Sequence, residues 1–136
     1  MHPFPHQYQV SISGAPTGNV TLKSPGLANL VSAPPAAFGG PGDQWSPETL
    51  LTAALGDCFV LSFRAVAAAS KFEWQQLECD VVGTLDRIER VSQFTRFVVK
   101  AKLTVPTGAD VERAKKLLEK AEQVCLISAS LKSEKH

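Results

Sequence analysis

The amino-acid sequence predicts an α+β fold for a single domain over residues 1–136. Three observations support this prediction. Two neighbouring segments alternate apolar and polar residues, one long apolar run opens with helix-start residues, and one charged segment has a separate apolar face. The elements follow the order strand, strand, loop, helix, strand, strand, helix, helix. An antiparallel sheet packed on a long buried central helix is the architecture that this order favours.

The chain opens with a predicted hairpin. From Gln7 to Ser13, the apolar residues Tyr8, Val10 and Ile12 alternate with polar neighbours, which is typical of a half-buried strand. A turn rich in glycine and proline follows, and Asn19 to Lys23 forms the returning strand.

Residues 24–46 differ from the segments around them. They hold four of the nine glycines, four of the nine prolines and a single charged residue, Asp43. Their apolar side chains argue against a solvated linker. We expect a loop without regular structure that wraps over the surface or reaches toward a partner chain.

The central helix is predicted from Ser46 to about Ala69. Ser46 is a good N-cap, and proline and glutamate suit the first turn that follows it. The helix is apolar on nearly every side, so it is either buried in a fold or spans a membrane. Asp57 and Arg64 lie in the middle of the run, where each would cost about 2.5–3.5 kcal/mol at a bilayer centre. A buried core helix is therefore favoured, and a second chain is expected to cover what one small sheet cannot.

Two longer strands and a second helix complete the prediction. The segments Leu77–Leu85 and Phe97–Leu103 alternate apolar and polar residues and are joined by a charged turn. Residues from Asp110 through Glu122 form an amphipathic helix. A last short helix or turn opens at Val124–Ser128.

Composition and charge exclude several classes of function. The 14 basic and 13 acidic residues leave a net charge of +1, so no strong field favours nucleic acid or a membrane surface. The amino terminus lacks the pattern of a signal peptide, and a cytoplasmic location is expected. His2, His6 and His136 lie near the termini and no close cysteine pair is present, so neither a metal nor another cofactor is expected.

The three cysteines are the candidates for chemistry. Cys58 lies in the middle of the central helix, and Cys125 lies where a new helical turn begins, a place that favours a thiolate. Cys79 alternates with apolar residues in a strand and is interpreted as a core residue. From composition alone, space filling and redox chemistry both stay open for Cys58 and Cys125.

Motifs around two of the cysteines resemble those of the OsmC/Ohr family of thiol peroxidases. The first motif runs from Trp45 through Leu51 and Ala53 to Cys58, after the glycine-rich stretch Phe38–Gly42. The second is Val124–Ser128, followed by Leu131. The resemblance implies an OsmC-like fold that forms an interlocked homodimer with its site at the subunit interface.

The resemblance also implies an activity. Cys58 would attack an organic hydroperoxide and become a sulfenic acid, and Cys125 would condense with it to a disulfide that a dithiol reductant, of lipoyl type or another, reopens. Glu48 would be a third catalytic residue, and the protein would act in defence against oxidative stress. Glu48 precedes Cys58 by ten residues, or about 15 Å of straight helix, so contact between them is expected across a dimer.

The sequence departs from the family pattern at three places. Peroxidase members carry an arginine in the first hairpin that activates the cysteine, whereas no arginine precedes Arg64 here. Leu126 stands where proline usually follows the second cysteine, and the final strand that members usually add after Leu131 is expected to be missing. The alternative function is therefore an OsmC-like protein without robust peroxidase activity that binds an apolar small molecule at the dimer cleft.

Overall fold

The computed structural model describes residues 3–136, so Met1 and His2 lie outside the described residues. The chain forms two compact units, residues 1–50 and residues 51–136, here called the amino-terminal and carboxyl-terminal units. Secondary structure follows the predicted α+β order, with two short strands added to it.

The amino-terminal unit contains a three-stranded antiparallel sheet. Its strands are β1 (Ser11–Ser13), β2 (Val20–Lys23) and β3 (Leu30–Ser32), with β2 in the centre. The predicted hairpin is present, but its first strand begins at Ser11 rather than Gln7. Tyr8 lies before β1 and is 90% exposed, so the expectation of a half-buried strand from Gln7 onward is wrong.

The glycine- and proline-rich segment is more ordered than expected. It contains β3 and a 3-10 turn at Ala36–Phe38, and Trp45 forms a parallel bridge with Ser32. Gly40 donates its N–H to the carbonyl of Pro35 at 3.0 Å. The prediction of a loop without regular structure is therefore wrong. Backbone hydrogen bonds order this segment, although its sequence lacks the apolar periodicity that would predict a strand.

Helix α1 (Pro47–Ala69) has the predicted bounds. Ser46 and Thr49 cap it reciprocally: the Thr49 N–H donates to Ser46 Oγ at 3.1 Å, and the Ser46 N–H donates to Thr49 Oγ1 at 2.8 Å. Five of its 23 residues are buried. They follow one helix face and are Leu55, Gly56, Phe59, Phe63 and Ala67.

The expectation of a long helix buried on most sides is not met within one chain, since Leu61 on α1 is 50% exposed. Among the described residues, α1 is the helix that is long and apolar enough to cross a membrane. Core helices of soluble proteins have the same length and composition, and Asp57 and Arg64 make a span costly.

The carboxyl-terminal unit is built on a second sheet. Strands β4 (Gln76–Ile88) and β5 (Val91–Thr104) pair antiparallel and run longer than predicted. A β-bulge lies between Thr84 and Leu85, and a tight turn with positive φ at Glu89 and Arg90 joins the strands.

The end of the chain adds a strand that the sequence analysis expected to be missing. Strand β6 (Glu134–Lys135) pairs parallel with β5 at Arg96 and Phe97. The N–H of His136 donates to the Phe97 carbonyl at 2.9 Å and extends this pairing. Two residues are too few for a period-2 pattern, so periodicity could not reveal β6.

Two further helices cover the sheet of the carboxyl-terminal unit. Helix α2 (Val111–Val124) is capped by Asp110, whose carboxylate accepts the Arg113 N–H at 3.1 Å, and helix α3 (Leu126–Ser130) follows after Cys125. The predicted helix and the predicted short final helix are both present. The main core of the unit is formed by α1, α2 and β4. Its buried members include Phe59, Phe63, Phe72, Leu77, Ala114, Leu117 and Ala121.

Candidate functional site

Cys58 and Cys125 come together in the carboxyl-terminal unit. Cys58 is half-buried in the middle of α1, and Cys125 is 1% exposed at the junction of α2 and α3. Both belong to an apolar cluster with buried Leu55 and Phe97. Residues 67 positions apart in the sequence thus form one site, because α3 packs its first turn near α1.

The start of α3 directs hydrogen-bond donors at Cys58. The first N–H groups of any helix have no acceptor within that helix. Here the backbone N–H groups of Leu126 and Ile127 donate to the sulfur of Cys58. From the sequence, this helix start was expected to favour a thiolate at Cys125. Its N–H groups serve both cysteines, because those of Ser128 and Ile127 also act to lower the pKa of Cys125.

These contacts separate the pKa values of the two thiols. Burial raises the pKa of Cys58, but hydrogen bonds from Ile127, Cys125, Ser62 and Leu126 together outweigh it, so this pKa lies below the ordinary thiol value. Burial raises the pKa of Cys125, and the neighbouring Cys58 raises it further; together they outweigh the backbone hydrogen bonds from Ser128 and Ile127, which lower it. The pair therefore combines one thiol poised to ionise with one held neutral, which suits an attacking thiolate beside a second thiol.

A hydroxyl that the sequence analysis did not single out lies at the site. The Ser62 Oγ atom is 3.9 Å from the Cys58 Sγ atom, one helical turn further along α1. The four-residue spacing was the signal that could have found it, since side chains at i and i+4 share a helix face.

Cys79 takes no part in the site. It lies half-buried in β4 and packs against the main core, as its alternation predicted. Burial and then the nearby Asp80 charge raise its pKa, so it is a poor source of thiolate. Among residues 3–136, no group of three or more histidine, cysteine, aspartate or glutamate side chains is arranged to hold a metal ion.

Glu48 lies elsewhere, in the first turn of α1 and in the amino-terminal unit. It lines a cavity of about 450 Å³ whose other walls are mostly apolar and include Ile12, Leu22, Phe38 and Leu50. Because α1 is unbroken, the ten residues from Glu48 to Cys58 correspond to about 15 Å along the helix axis. Within one chain, Cys58 on α1 and Cys125 before α3 are therefore neighbours, and Glu48 is separated from Cys58 along the helix.

Fold and site together define an α+β protein in which a thiol of lowered pKa shares one apolar cluster with a second thiol. The sequence pattern of the OsmC-like protein family matches residues 40–136. The chain belongs to this family, and the resemblance seen in the cysteine motifs is confirmed.

Related proteins agree with this assignment. An uncharacterized protein of Bacillus subtilis (strain 168), YmaD, is 26% identical over 114 residues, which is 82% of this chain and 75% of the relative. An OsmC-like protein of unknown function from Vibrio cholerae O1 has a similar structure, with a TM-score of 0.85, 15% identity and coverage of 96% of this chain and 97% of that one. An organic hydroperoxide resistance protein from Legionella pneumophila aligns with a TM-score of 0.77 and 24% identity over 98% of both chains. At these identities, the two structures support the fold alone.

Proposed function

We propose that this protein is a thiol-dependent reductase of organic hydroperoxides in which Cys58 attacks the peroxide and Cys125 resolves the product. The observation that carries the proposal is the hydrogen-bonded environment of Cys58, which favours its thiolate and lies against the second thiol. Hydroperoxide resistance proteins within the same fold support the substrate class.

The proposed reaction has three balanced steps. The Cys58 thiolate attacks the terminal oxygen of the hydroperoxide, the O–O bond breaks, and the leaving alkoxide takes up a proton to become an alcohol. Cys58 is now a sulfenic acid, and the Cys125 sulfur attacks it, so that a disulfide forms and water leaves. A dithiol reductant then reopens the disulfide by exchange and is itself oxidised.

The surroundings of Cys58 favour an apolar substrate. Leu51, Leu55, Phe97, Ile127 and Leu131 belong to the same cluster as the two cysteines. An alkyl or aryl group on the peroxide would gain by packing on this surface, whereas hydrogen peroxide would gain nothing. We therefore expect faster reduction of bulky hydroperoxides than of hydrogen peroxide.

We propose that Glu48 acts on Cys58 of a second copy of the chain. The distance along α1 separates the two residues within one chain. The apolar residues exposed on α1, such as Leu61, support a homodimer that would cover them. In that arrangement the carboxylate would complete the site from the partner.

The test of the proposed function is thiol counting before and after one equivalent of cumene hydroperoxide. Two thiols should disappear per chain, and mass spectrometry should locate a Cys58–Cys125 disulfide. The Cys125→Ser variant should lose one thiol and hold a sulfenic acid that dimedone traps, while Cys58→Ser should lose none. If Cys58→Ser still reacts and Cys125→Ser does not, the two roles are reversed. If the unaltered protein keeps all its thiols over minutes, the peroxidase function is wrong.

A second function, binding of an apolar small molecule without peroxidase activity, is favoured by two observations. The first hairpin lacks an arginine, and the amino-terminal unit has an apolar cavity of about 450 Å³. A fluorescent apolar probe should then bind, and Phe38→Ser in the cavity wall should weaken its binding, whether or not peroxide is consumed. Equal binding by this variant would contradict the second function.

A further inference from the structure

Ser62 is placed to act on the sulfur of Cys58. Serine hydroxyls inside helices commonly donate to the carbonyl four residues earlier, as Ser130 does to Leu126 at 2.8 Å in α3. The hydroxyl of Ser62 lies instead within hydrogen-bond distance of a sulfur, 3.9 Å from Cys58 Sγ. Both side chains are half-buried, so water competes less for this hydrogen bond than it would at an open surface.

The Ser62 hydroxyl differs chemically from the other donors at the site. The backbone N–H groups of Leu126 and Ile127 only donate, so they favour the thiolate form of Cys58 over the neutral thiol, whose sulfur is a weak acceptor. A hydroxyl accepts from a thiol and donates to a thiolate by rotating its hydrogen. The donated bond is charge-assisted and is the stronger of the two, so the hydroxyl favours ionisation without leaving the neutral thiol unpaired.

We propose that Ser62 is a positioning residue for Cys58: its hydroxyl donates to the thiolate and holds the sulfur toward the start of α3. This deepens the proposed function and rests on it for its biological meaning. The hydroxyl would supply part of the stabilisation of the Cys58 thiolate. No charge is needed for this, since the hydrogen bond acts directly on the sulfur.

The test measures the rate of Cys58 alkylation by iodoacetamide as a function of pH in the full chain. The alkylated peptide is quantified by mass spectrometry, so that Cys79 and Cys125 do not contribute. Three variants are compared with the unaltered protein: Ser62→Ala, Ser62→Thr and Ser62→Val. Threonine and valine have nearly the same shape and differ by the hydroxyl alone, so they form a matched pair.

Removing the hydroxyl should move the midpoint of the pH profile upward. At pH 7, Ser62→Ala and Ser62→Val should react about 3- to 10-fold more slowly, as expected for the loss of one hydrogen bond of ordinary strength between half-buried groups. The limiting rate at high pH should stay within about twofold, since each thiolate is then fully formed. Ser62→Thr should keep the midpoint of the unaltered protein.

Coincident midpoints for Ser62→Ala and the unaltered protein would overturn the proposal, as would a threonine profile that follows the valine profile. A purely structural role of Ser62 would change the limiting rate and leave the midpoint in place. Alkylation needs no peroxide, so its outcome is separate from that of the thiol-counting experiment. A protein that fails to reduce peroxides can still show the shift in midpoint, and an active peroxidase can lack it.

Discussion

At Gly56, α1 lies close to the sheet, and the variant Gly56→Ala tests how tightly the two pack there. A Cβ atom at this position would lie 2.8 Å from Val81 Cγ2 and 3.7 Å from Cys79 Sγ. Carbon atoms in good contact are about 3.5–4.0 Å apart, so Gly56→Ala must displace Val81 or lift the helix by about 1 Å. Gly56 lies two residues before Cys58, so this approach also fixes the height of the reactive thiol above the sheet.

Two opposing terms set the size of the effect of Gly56→Ala. Alanine is better than glycine inside a helix by about 1 kcal/mol. Overpacking a filled core costs about 1–3 kcal/mol. We expect a net destabilisation of about 1 kcal/mol, or roughly 3–5 °C in Tm for a chain of this size.

Urea unfolding followed by circular dichroism, at one fixed protein concentration, measures this change. The matched control is Ala65→Gly at an exposed position of the same helix, which should lose about 1 kcal/mol through helix propensity alone. Adding Val81→Ala to Gly56→Ala makes room for the new methyl group. The double variant should therefore lose less unfolding free energy than the sum of the losses in the two single variants. Stabilisation by Gly56→Ala alone, or strict additivity with Val81→Ala, would refute close packing of Gly56 against Val81.

Four further outcomes are expected. Cys79→Ala should change stability modestly and leave peroxide consumption intact; loss of turnover in the folded variant would give Cys79 a role. Because the pKa of Cys58 is lowered and those of Cys79 and Cys125 are raised, Cys58 should keep its thiolate to lower pH and be alkylated first at pH 7. Gly40→Ala should disorder the segment after β3, because the added Cβ would lie 1.6 Å from a backbone oxygen, and faster proteolysis of this segment would show it. The control is Gly39→Ala, whose added Cβ meets open space and which should cost only about 1–2 kcal/mol of backbone strain. Sedimentation at micromolar concentration should show a homodimer, and a purely monomeric profile would contradict it.

Capping residues and amphipathic patterns in the sequence predicted the two long helices, whose formation depends mainly on neighbouring residues. The capping residue Ser46 and the proline after it predicted the start of α1 to the residue, and the charged face of α2 predicted that helix within two residues. Strands β3 and β6 were missed because three- and two-residue strands carry no usable period, and their pairing depends on partners elsewhere in the chain. The exposed side of α1 shows the same limit, since burial depends on which elements pack against the helix and not on its own residues alone.

The candidate site contains hydrogen-bond donors that side-chain types in the sequence do not reveal. From the missing arginine of the first hairpin, the sequence suggested an alternative function without robust peroxidase activity, because residue types show only which side chains could stabilise a thiolate. In this fold, the donors to Cys58 include the backbone N–H groups of Leu126 and Ile127, which a search by side-chain type does not reveal and which only the placement of α3 brings to the sulfur. The residue type at position 126 matters for this donor, because proline there would have no N–H to donate. Leu126→Pro should therefore remove one donor and raise the pH at which Cys58 is alkylated, while Leu126→Ala, which keeps the N–H, should leave it unchanged. Equal pH profiles for the two folded variants would show that the backbone donor at this position does not stabilise the thiolate.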